Sequence, residues 1–344
     1  MHNRSNYAVS EVVSYILIIV IIATTTSSIF FWYVPSVERI EAETQVNSMS
    51  QQLRYYSDAI DDLASQGVNA STVIPISFNE GNFYVESIKN VGDSTIIGSR
   101  IVIYYSLDSN YEFNVSGLDD GNKEFEISFD ANNDPTNNVR AEAYNLINSN
   151  SESISDPGSD TFEFSYSSIS IHGSYKINLF DEDDSDTLFG RIWVFDTGSL
   201  VYELNTGQGT YHVSAENGAV INGFPKTSSV DRRPLVFYEN NNLVIYVLQI
   251  NTTTDVSIGG SAGADVEIHA AFKNRTLLEN RKSAYNFKMQ FFNDDFENDI
   301  DAWKVFYRIY HDFIEEGSDN VKFDFSSSMD FTLVNMVLDL RMEV

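Results

Sequence analysis

One uninterrupted apolar segment near the N-terminus constrains this chain more than any other feature. From residue 12 to residue 34 the sequence contains no Asp, Glu, Lys, Arg, Gly or Pro. A helix rises about 1.5 Å per residue, so a segment of this length can cross the apolar part of a bilayer. We therefore expect residues 8–34 to form a transmembrane helix, with the membrane as one partner of the chain.

The flanks of this segment predict its orientation. The leader, residues 1–7, carries Arg4 and no acidic residue, whereas residues 35–43 contain three glutamates against one arginine. Basic flanks tend to stay on the cytoplasmic side of a membrane. The aromatic run at 30–33 then falls at the outer interface, where such rings settle. The pattern predicts a single-pass cell-membrane protein with a cytoplasmic N-terminus and an extracellular bulk.

The start of the apolar segment carries a carboxylate, Glu11, directly after the small residues Ala8-Val9-Ser10. A carboxylate at this position must stay at the interface or be paired when helices pack together. The segment AVSEVV resembles the start of mature archaeal type IV pilins and archaellins, whose leaders are cut immediately before it. This resemblance implies a class III prepilin-type signal and cleavage between Tyr7 and Ala8 by a prepilin-type peptidase. It also implies that Glu11 acts in assembly with other pilin-like subunits.

Two other interpretations of the same segment remain open. The helix could be a signal anchor that is never cut, or a conventional secretory signal cleaved after Thr26-Ser27-Ser28. The second has weaker support, because the positive end is short and the apolar region exceeds the usual length of about 7–15 residues.

Charge and cysteine content limit the partners and the stability of the extracellular part. The 344 residues include 50 acidic and 21 basic side chains, for a net charge of −29. Such acidity disfavours nucleic acid and anionic membrane surfaces as partners, because like charges repel. The chain has no cysteine, so disulfides cannot stabilise it. Its 24 Phe and 19 Tyr can instead supply an apolar core.

The helical pattern extends beyond the membrane segment. Apolar residues recur at spacings of three, four and seven between Val37 and Leu63, and no glycine interrupts the run before Gly67. We therefore predict that residues 35–66 continue the helix, with a kink or break at Pro35.

The pattern then changes to the alternation that is typical of strands. We predict a first β region at 67–147, a linker at 148–160 and a second β region at 161–344, which includes an amphipathic helix at 299–316. The expected fold class is α+β: a long N-terminal helix followed by a mainly antiparallel, β-sandwich-like extracellular region.

One motif suggests catalysis but is also explained without it. Residues 194–199 read VFDTGS, which matches the hydrophobic-Asp-Thr-Gly-Ser loop of aspartic proteases. That chemistry needs two carboxylates that share a proton, and no second such motif occurs, so a homodimer would have to supply the partner of Asp196. A tight hairpin turn uses the same residue types. We therefore expect no enzyme activity and assign no catalytic residue.

The metal-binding patterns are incomplete. Asp130, Asn132 and Asp134 could begin a calcium loop, but Pro135 replaces the turn glycine and the glutamate of position twelve is missing. The acidic cluster at 181–186 also lacks the glycine. With no cysteine and five scattered histidines, zinc is not expected either. We therefore predict neither a metal site nor a cofactor.

Four Asn-X-Ser/Thr sequons follow the apolar segment, at Asn69, Asn114, Asn251 and Asn274. In an exported protein each is a possible N-glycosylation site.

Two functions from different classes fit these observations. In the first, the chain is a pilin-like subunit, minor or at the tip of a filament, whose helix anchors in the membrane or packs in the filament core while the β region mediates adhesion or surface contacts. In the second, it is a single-pass surface binding protein that does not assemble. Residues 190–344 also resemble uncharacterised archaeal pilin-like exported proteins, which implies a surface-exposed β headgroup and gives no activity.

Overall fold

The computed structural model describes residues 4–86, 89–91, 94–96, 99–116, 124–129, 138–146, 151–157, 161–165, 174–181, 187–240, 242–252, 257–260, 263–293, 314–316, 321–325 and 328–343. Among these residues, one long helix precedes a set of mostly antiparallel sheets. The predicted α+β class is confirmed at this level.

Helix α1 (Arg4–Gln66) contains 63 residues and is continuous. At 1.5 Å per residue its length is roughly 95 Å. The chain remains helical through Pro35, so the break considered at that position does not occur. Gly67, with φ of 101°, follows the last helical residue, and a left-handed glycine at this place is the usual end of a helix.

The strands are short and follow one another closely until the last third of the chain. They are β1 (Ser71–Phe78), β2 (Gly81–Glu86), β3 (Lys89–Val91), β4 (Ser94–Ile96), β5 (Ser99–Ser106), β6 (Phe113–Ser116), β7 (Glu124–Phe129), β8 (Asn138–Asn145), β9 (Ser151–Pro157), β10 (Thr161–Ser165), β11 (Tyr175–Asp181), β12 (Thr187–Asp196), β13 (Ser199–Thr206), β14 (Gly209–Glu216), β15 (Ala219–Phe224), β16 (Thr227–Arg232), β17 (Val236–Glu239), β18 (Asn242–Thr252), β19 (Ser257–Gly260), β20 (Ala264–Asn293), β21 (Ile314–Glu316), β22 (Val321–Phe325) and β23 (Met329–Glu343).

The described strands form one large sheet and three smaller ones. The largest has the order β17-β18-β23-β20-β5-β12-β11-β8-β9, with β1 and the pair β21-β22 also attached through β20. A six-stranded sheet has the order β16-β15-β14-β13-β2-β19, and β10-β7-β6 and β3-β4 form the others. Among the described strands the pairings are antiparallel, except that β18 and β23 are parallel.

The largest sheet contains strands from both predicted β regions. Residues 151–157, inside the predicted linker at 148–160, form β9 and pair with β8. Strand β5 also lies beside β12, and β8 lies beside β11. The polar sequence of this segment resembled a linker, but an edge strand needs pairing on one side only and tolerates such residues.

Of the predicted helix at 299–316, the structure describes only the last three residues, and these are not helical. These residues, Ile314–Glu316, instead form β21, which pairs with β22. Residues 299–313 lie outside the described residues. The partner strand β22 follows only a few residues later in the chain, and the helical spacing of apolar residues contains no information about this backbone pairing.

Strand β20 joins two parts of the largest sheet. Its first half pairs with β1 and β23, and its second half pairs with β5 and β22. Between the halves the register shifts, and Arg281 and Asn286 have positive φ of 44° and 49°. Such irregularities bend a strand and increase its twist, so one strand can serve both parts of the sheet.

Three apolar cores hold these layers together. The first lies between α1, the inner face of the six-stranded sheet and the β1-β20-β23-β18 part of the largest sheet. The second contains residues of β5, β12, β18, β20 and β23 with Ala219 and Ile221 of β15. In the third, β6 and β7 cover the opposite face of β5, β8, β11 and β12.

Candidate functional site

Residues 13–34, in the N-terminal half of α1, are exposed on all sides of the helix. We call residues 13–34 the apolar stalk, because each of its side chains is exposed and most are apolar. Exposure ranges up to 87% for Phe31. An 18-residue window of the helix has a mean hydropathy of 2.1, and by length and composition the helix can cross a membrane. A helix that is apolar on all sides requires lipid or protein around it.

Three hydroxyl groups of the stalk bond to its own backbone. Thr24 Oγ1 donates to Val20 O at 2.8 Å, and Thr25 Oγ1 donates to Ile21 O at 2.7 Å. Ser28 Oγ likewise donates to Thr24 O at 2.8 Å. These polar groups therefore need no partner from another helix, and they can lie in an apolar environment.

The predicted processing and assembly residues lie at the start of the same helix. Tyr7, Ala8 and Glu11 fall within the first eight residues of α1, and their side chains lie outside the described part of the structure. The structure therefore places them at the far end of the stalk, away from the sheets.

The C-terminal half of α1 is embedded in the first core. We call residues 42–63 the embedded half. Seven of its side chains are at most 2% exposed and alternate at spacings of four and three, which places them on one face of the helix. They are Ala42, Val46, Met49, Leu53, Tyr56, Ile60 and Leu63.

Polar contacts hold the embedded half against the six-stranded sheet. Arg232 of β16 donates from Nε to Asp58 Oδ1 at 3.1 Å, and its terminal nitrogens bond Asp61 and the carbonyl oxygen of Gly218. Burial raises the pKa of Asp61, and the nearby Arg232 guanidinium opposes that shift. The cation thus joins two turns of α1 to β16 and to the β14–β15 turn.

Two further contacts fix the middle of the embedded half. Gln52 exchanges two hydrogen bonds with the backbone of Ser77 in β1, at 2.9 and 2.7 Å. The Tyr202 hydroxyl lies 2.9 Å from Gln45 Oε1 and 2.7 Å from Glu80 O, and burial raises the pKa of Tyr202 to about 12. The helix is therefore bonded to both sheets that surround it.

Asp196 of the DTGS motif is buried in an ion pair. Arg100 Nε donates to Asp196 Oδ1 at 2.7 Å, and the two side chains are 1% and 0% exposed. The predicted hairpin at this motif is wrong, because β12 pairs with β5 and β11 while β13 pairs with β2 and β14. Thr197 lies at a crossing between two sheets, and its carbonyl oxygen accepts from Ile250 N. Asp196 Oδ1 is thus held by the Arg100 guanidinium in this structure.

The four sequon asparagines are exposed in the structure. Asn69 has a φ of 69° in the turn after α1, whereas Asn114, Asn251 and Asn274 lie on β6, β18 and β20. Exposure satisfies one requirement for glycan attachment.

No group of metal-ligating side chains occurs among the described residues. Asp130, Asn132 and Asp134 lie outside them. Asp181 is buried, and its Oδ2 accepts from the Tyr111 hydroxyl at 2.9 Å.

One buried polar cluster could not be predicted from the sequence. Lys288 of β20 is buried, and its Nζ lies 2.8 Å from Asn114 Oδ1 and 3.8 Å from Glu112 Oε1. The lysine is 174 residues from Asn114 in the chain, so no local pattern connects them. In the sequence, the sequon at Asn114 is the one local signal at this place.

Comparison with protein-family models, curated proteins and solved structures gives no match. The function is therefore inferred from the two halves of α1 and their surroundings.

Proposed function

We propose that this chain is a pilin-like cell-surface subunit, minor or at the tip of a filament. In this proposal the apolar stalk anchors in the membrane before assembly and packs in a filament core afterwards. The β-rich headgroup then remains outside and mediates adhesion or surface contacts.

The observation that carries this proposal is the division of one continuous helix into two environments. Residues 42–63 lie in the core of the headgroup, while residues 13–34 are apolar and exposed on every side. A rigid helix between them transmits the position of the stalk to the headgroup, because no loop separates the two halves. Such an arrangement suits a subunit whose stalks bundle while its headgroups face outwards.

Processing would complete the assembly surface. Removal of residues 1–7 would create an amino terminus at Ala8, close to Glu11 along the helix. In a bundle this terminus could pair with Glu11 of a neighbouring copy, which would offset the cost of moving the carboxylate out of water. Partners in this proposal are a prepilin-type peptidase and other pilin-like subunits.

A single-pass anchored binding protein is the second candidate. The bonded hydroxyls of Thr24, Thr25 and Ser28 favour it, because they allow the stalk to remain in lipid without a helical partner. The dimeric aspartic protease is disfavoured by the ion pair of Asp196 with Arg100.

N-terminal sequencing of the surface protein tests the processing step. The pilin proposal predicts a start at Ala8 or one residue away. A start at Met1 would identify an uncut anchor, and a start near Ile29 would identify ordinary secretion. Either result would contradict the proposal.

Electron microscopy with antibody against the β headgroup tests assembly. We expect labelled filaments from the wild type, and membrane labelling without filaments from Glu11→Gln. Glu41→Gln is the matched control, since Glu41 is an exposed carboxylate on the same helix beyond the stalk. Filaments of normal number and length in Glu11→Gln would remove the role of this carboxylate, and uniform membrane labelling of the wild type would favour the lone anchor.

A further inference from the structure

A buried amine lies against a side-chain amide near the edge of the third core. The Lys288 side chain is 3% exposed, and its Nζ donates to Asn114 Oδ1 at 2.8 Å. Adding one C=O bond of about 1.23 Å places the Asn114 Cγ atom within about 4 Å of the amine. This is close to the separation of about 3–3.5 Å at which two groups are poised to react.

A carboxylate stands beside this pair. Glu112 Oε1 is 3.8 Å from Lys288 Nζ, and Glu112 is only two residues from Asn114. A buried ammonium is costly, so burial favours transfer of one of its protons to a neighbouring carboxylate. The cluster therefore contains a nucleophile, an electrophilic carbon and an acid–base group within one small volume.

We propose that Lys288 and Asn114 form an intramolecular amide bond, with Glu112 as the acid–base group. This reaction needs no oxidant, cofactor or second protein. It is independent of whether the chain assembles into filaments.

The atoms and charges of the reaction balance. Glu112 accepts one proton from the Lys288 ammonium, and the freed electron pair of Nζ attacks Asn114 Cγ. The Nζ–Cγ bond forms, and Glu112 passes its proton to Asn114 Nδ2. The Cγ–Nδ2 bond then breaks, and the second proton lost from Nζ leaves with ammonia as ammonium. Glu112 returns to its carboxylate form.

The bond would provide a covalent link that the chain cannot obtain from cysteine. It joins β6 of the three-stranded sheet to β20 of the largest sheet, between residues 174 positions apart. A link that closes so long a loop restricts the unfolded chain strongly. It also consumes the amide nitrogen of Asn114, so the same molecule cannot carry a glycan there.

Mass spectrometry of the full-length chain tests the proposal. The chain is produced in a host without N-glycosylation and measured intact, then digested and mapped. We expect an intact mass lower by one ammonia and a branched peptide that contains both Lys288 and Asn114. An intact mass equal to that of the unlinked chain, with the two peptides recovered separately, overturns the proposal.

One side reaction and three variants make the test specific. Succinimide formation at Asn114 also loses one ammonia, but it yields no branched peptide, so that result counts against the proposal. Lys288→Met and Glu112→Gln should each have the intact mass calculated for the unlinked variant chain. The Glu112 side chain is partly exposed, so Glu112→Gln should fold. Asp324 is in register with Lys288 on β22, and Asp324→Asn is the matched carboxylate control, which should retain the link. A link that persists in Glu112→Gln overturns the assignment of Glu112.

Discussion

Removing the carboxylate of the buried ion pair should destabilise the protein strongly. The Arg100 and Asp196 side chains are 1% and 0% exposed, so water cannot solvate the arginine when its partner is lost. Breaking a buried pair in this way typically costs about 3–5 kcal/mol. The total free energy of unfolding of a protein is only about 5–15 kcal/mol. We therefore expect Asp196→Ala to lose a large part of the stability of the headgroup.

Urea denaturation of the full-length chain in detergent, followed by circular dichroism of the strands, measures this loss. Lys273→Ala is the matched control, because Lys273 and Asp339 form an exposed pair at 2.9 Å whose loss should cost at most about 1 kcal/mol. The double variant Arg100→Met with Asp196→Leu removes both charges and should recover most of the stability.

The measured loss distinguishes an effect of charge from an effect of packing. If the free energy of unfolding of Asp196→Ala lies within about 1 kcal/mol of the wild-type value, loss of the carboxylate does not leave Arg100 as an uncompensated buried charge. Failure of the double variant to recover stability would show that packing around Asp196, rather than charge, dominates.

Three further predictions concern the embedded half of α1 and the buried tyrosines. Leu53→Ala should lower the unfolding free energy by about 2–5 kcal/mol in the same assay, whereas Tyr55→Ala, on the exposed face, should change it by about 0.5 kcal/mol or less. The Tyr56 hydroxyl is buried with no hydrogen-bond partner among the described residues, so Tyr56→Phe should raise stability by about 1 kcal/mol, and a loss would reveal a bond to the hydroxyl. Burial raises the pKa of Tyr175 to about 12, so its contribution to stability should be complete below about pH 10 and disappear as the pH rises towards 12. Ultraviolet titration of Tyr175→Phe should show one fewer phenol ionising near pH 12, and an unchanged curve would contradict the assignment.

The sequence was sufficient for the helix because its signals are local. The apolar run, the spacing of apolar residues up to Leu63 and the glycine at position 67 act over a few residues each, and they predict a long helix that ends close to the observed end at Gln66. The change to strands and the predominance of antiparallel pairing were also accessible, because alternation and short connections are local properties.

Pairing partners were not accessible from the same patterns. The edge strand at 151–157 has the composition of a linker, and Ile314–Glu316 continues a helical pattern, yet both pair with strands. The DTGS motif fits a hairpin locally, but its two flanking strands find partners in different sheets. In each case backbone hydrogen bonds to a partner strand outweigh a weak local preference, and the identity of that partner is not contained in the pattern of the segment itself.

The apolar stalk and the absence of cysteine are properties of the sequence, and no folding is needed to recognise them. Tertiary packing alone placed Lys288 against Asn114 and Glu112, and Arg100 against Asp196. Composition and periodicity report the secondary structure that each segment prefers locally. Reactive and buried charged clusters instead depend on which segments meet after folding, because their energies act between side chains that are far apart in sequence.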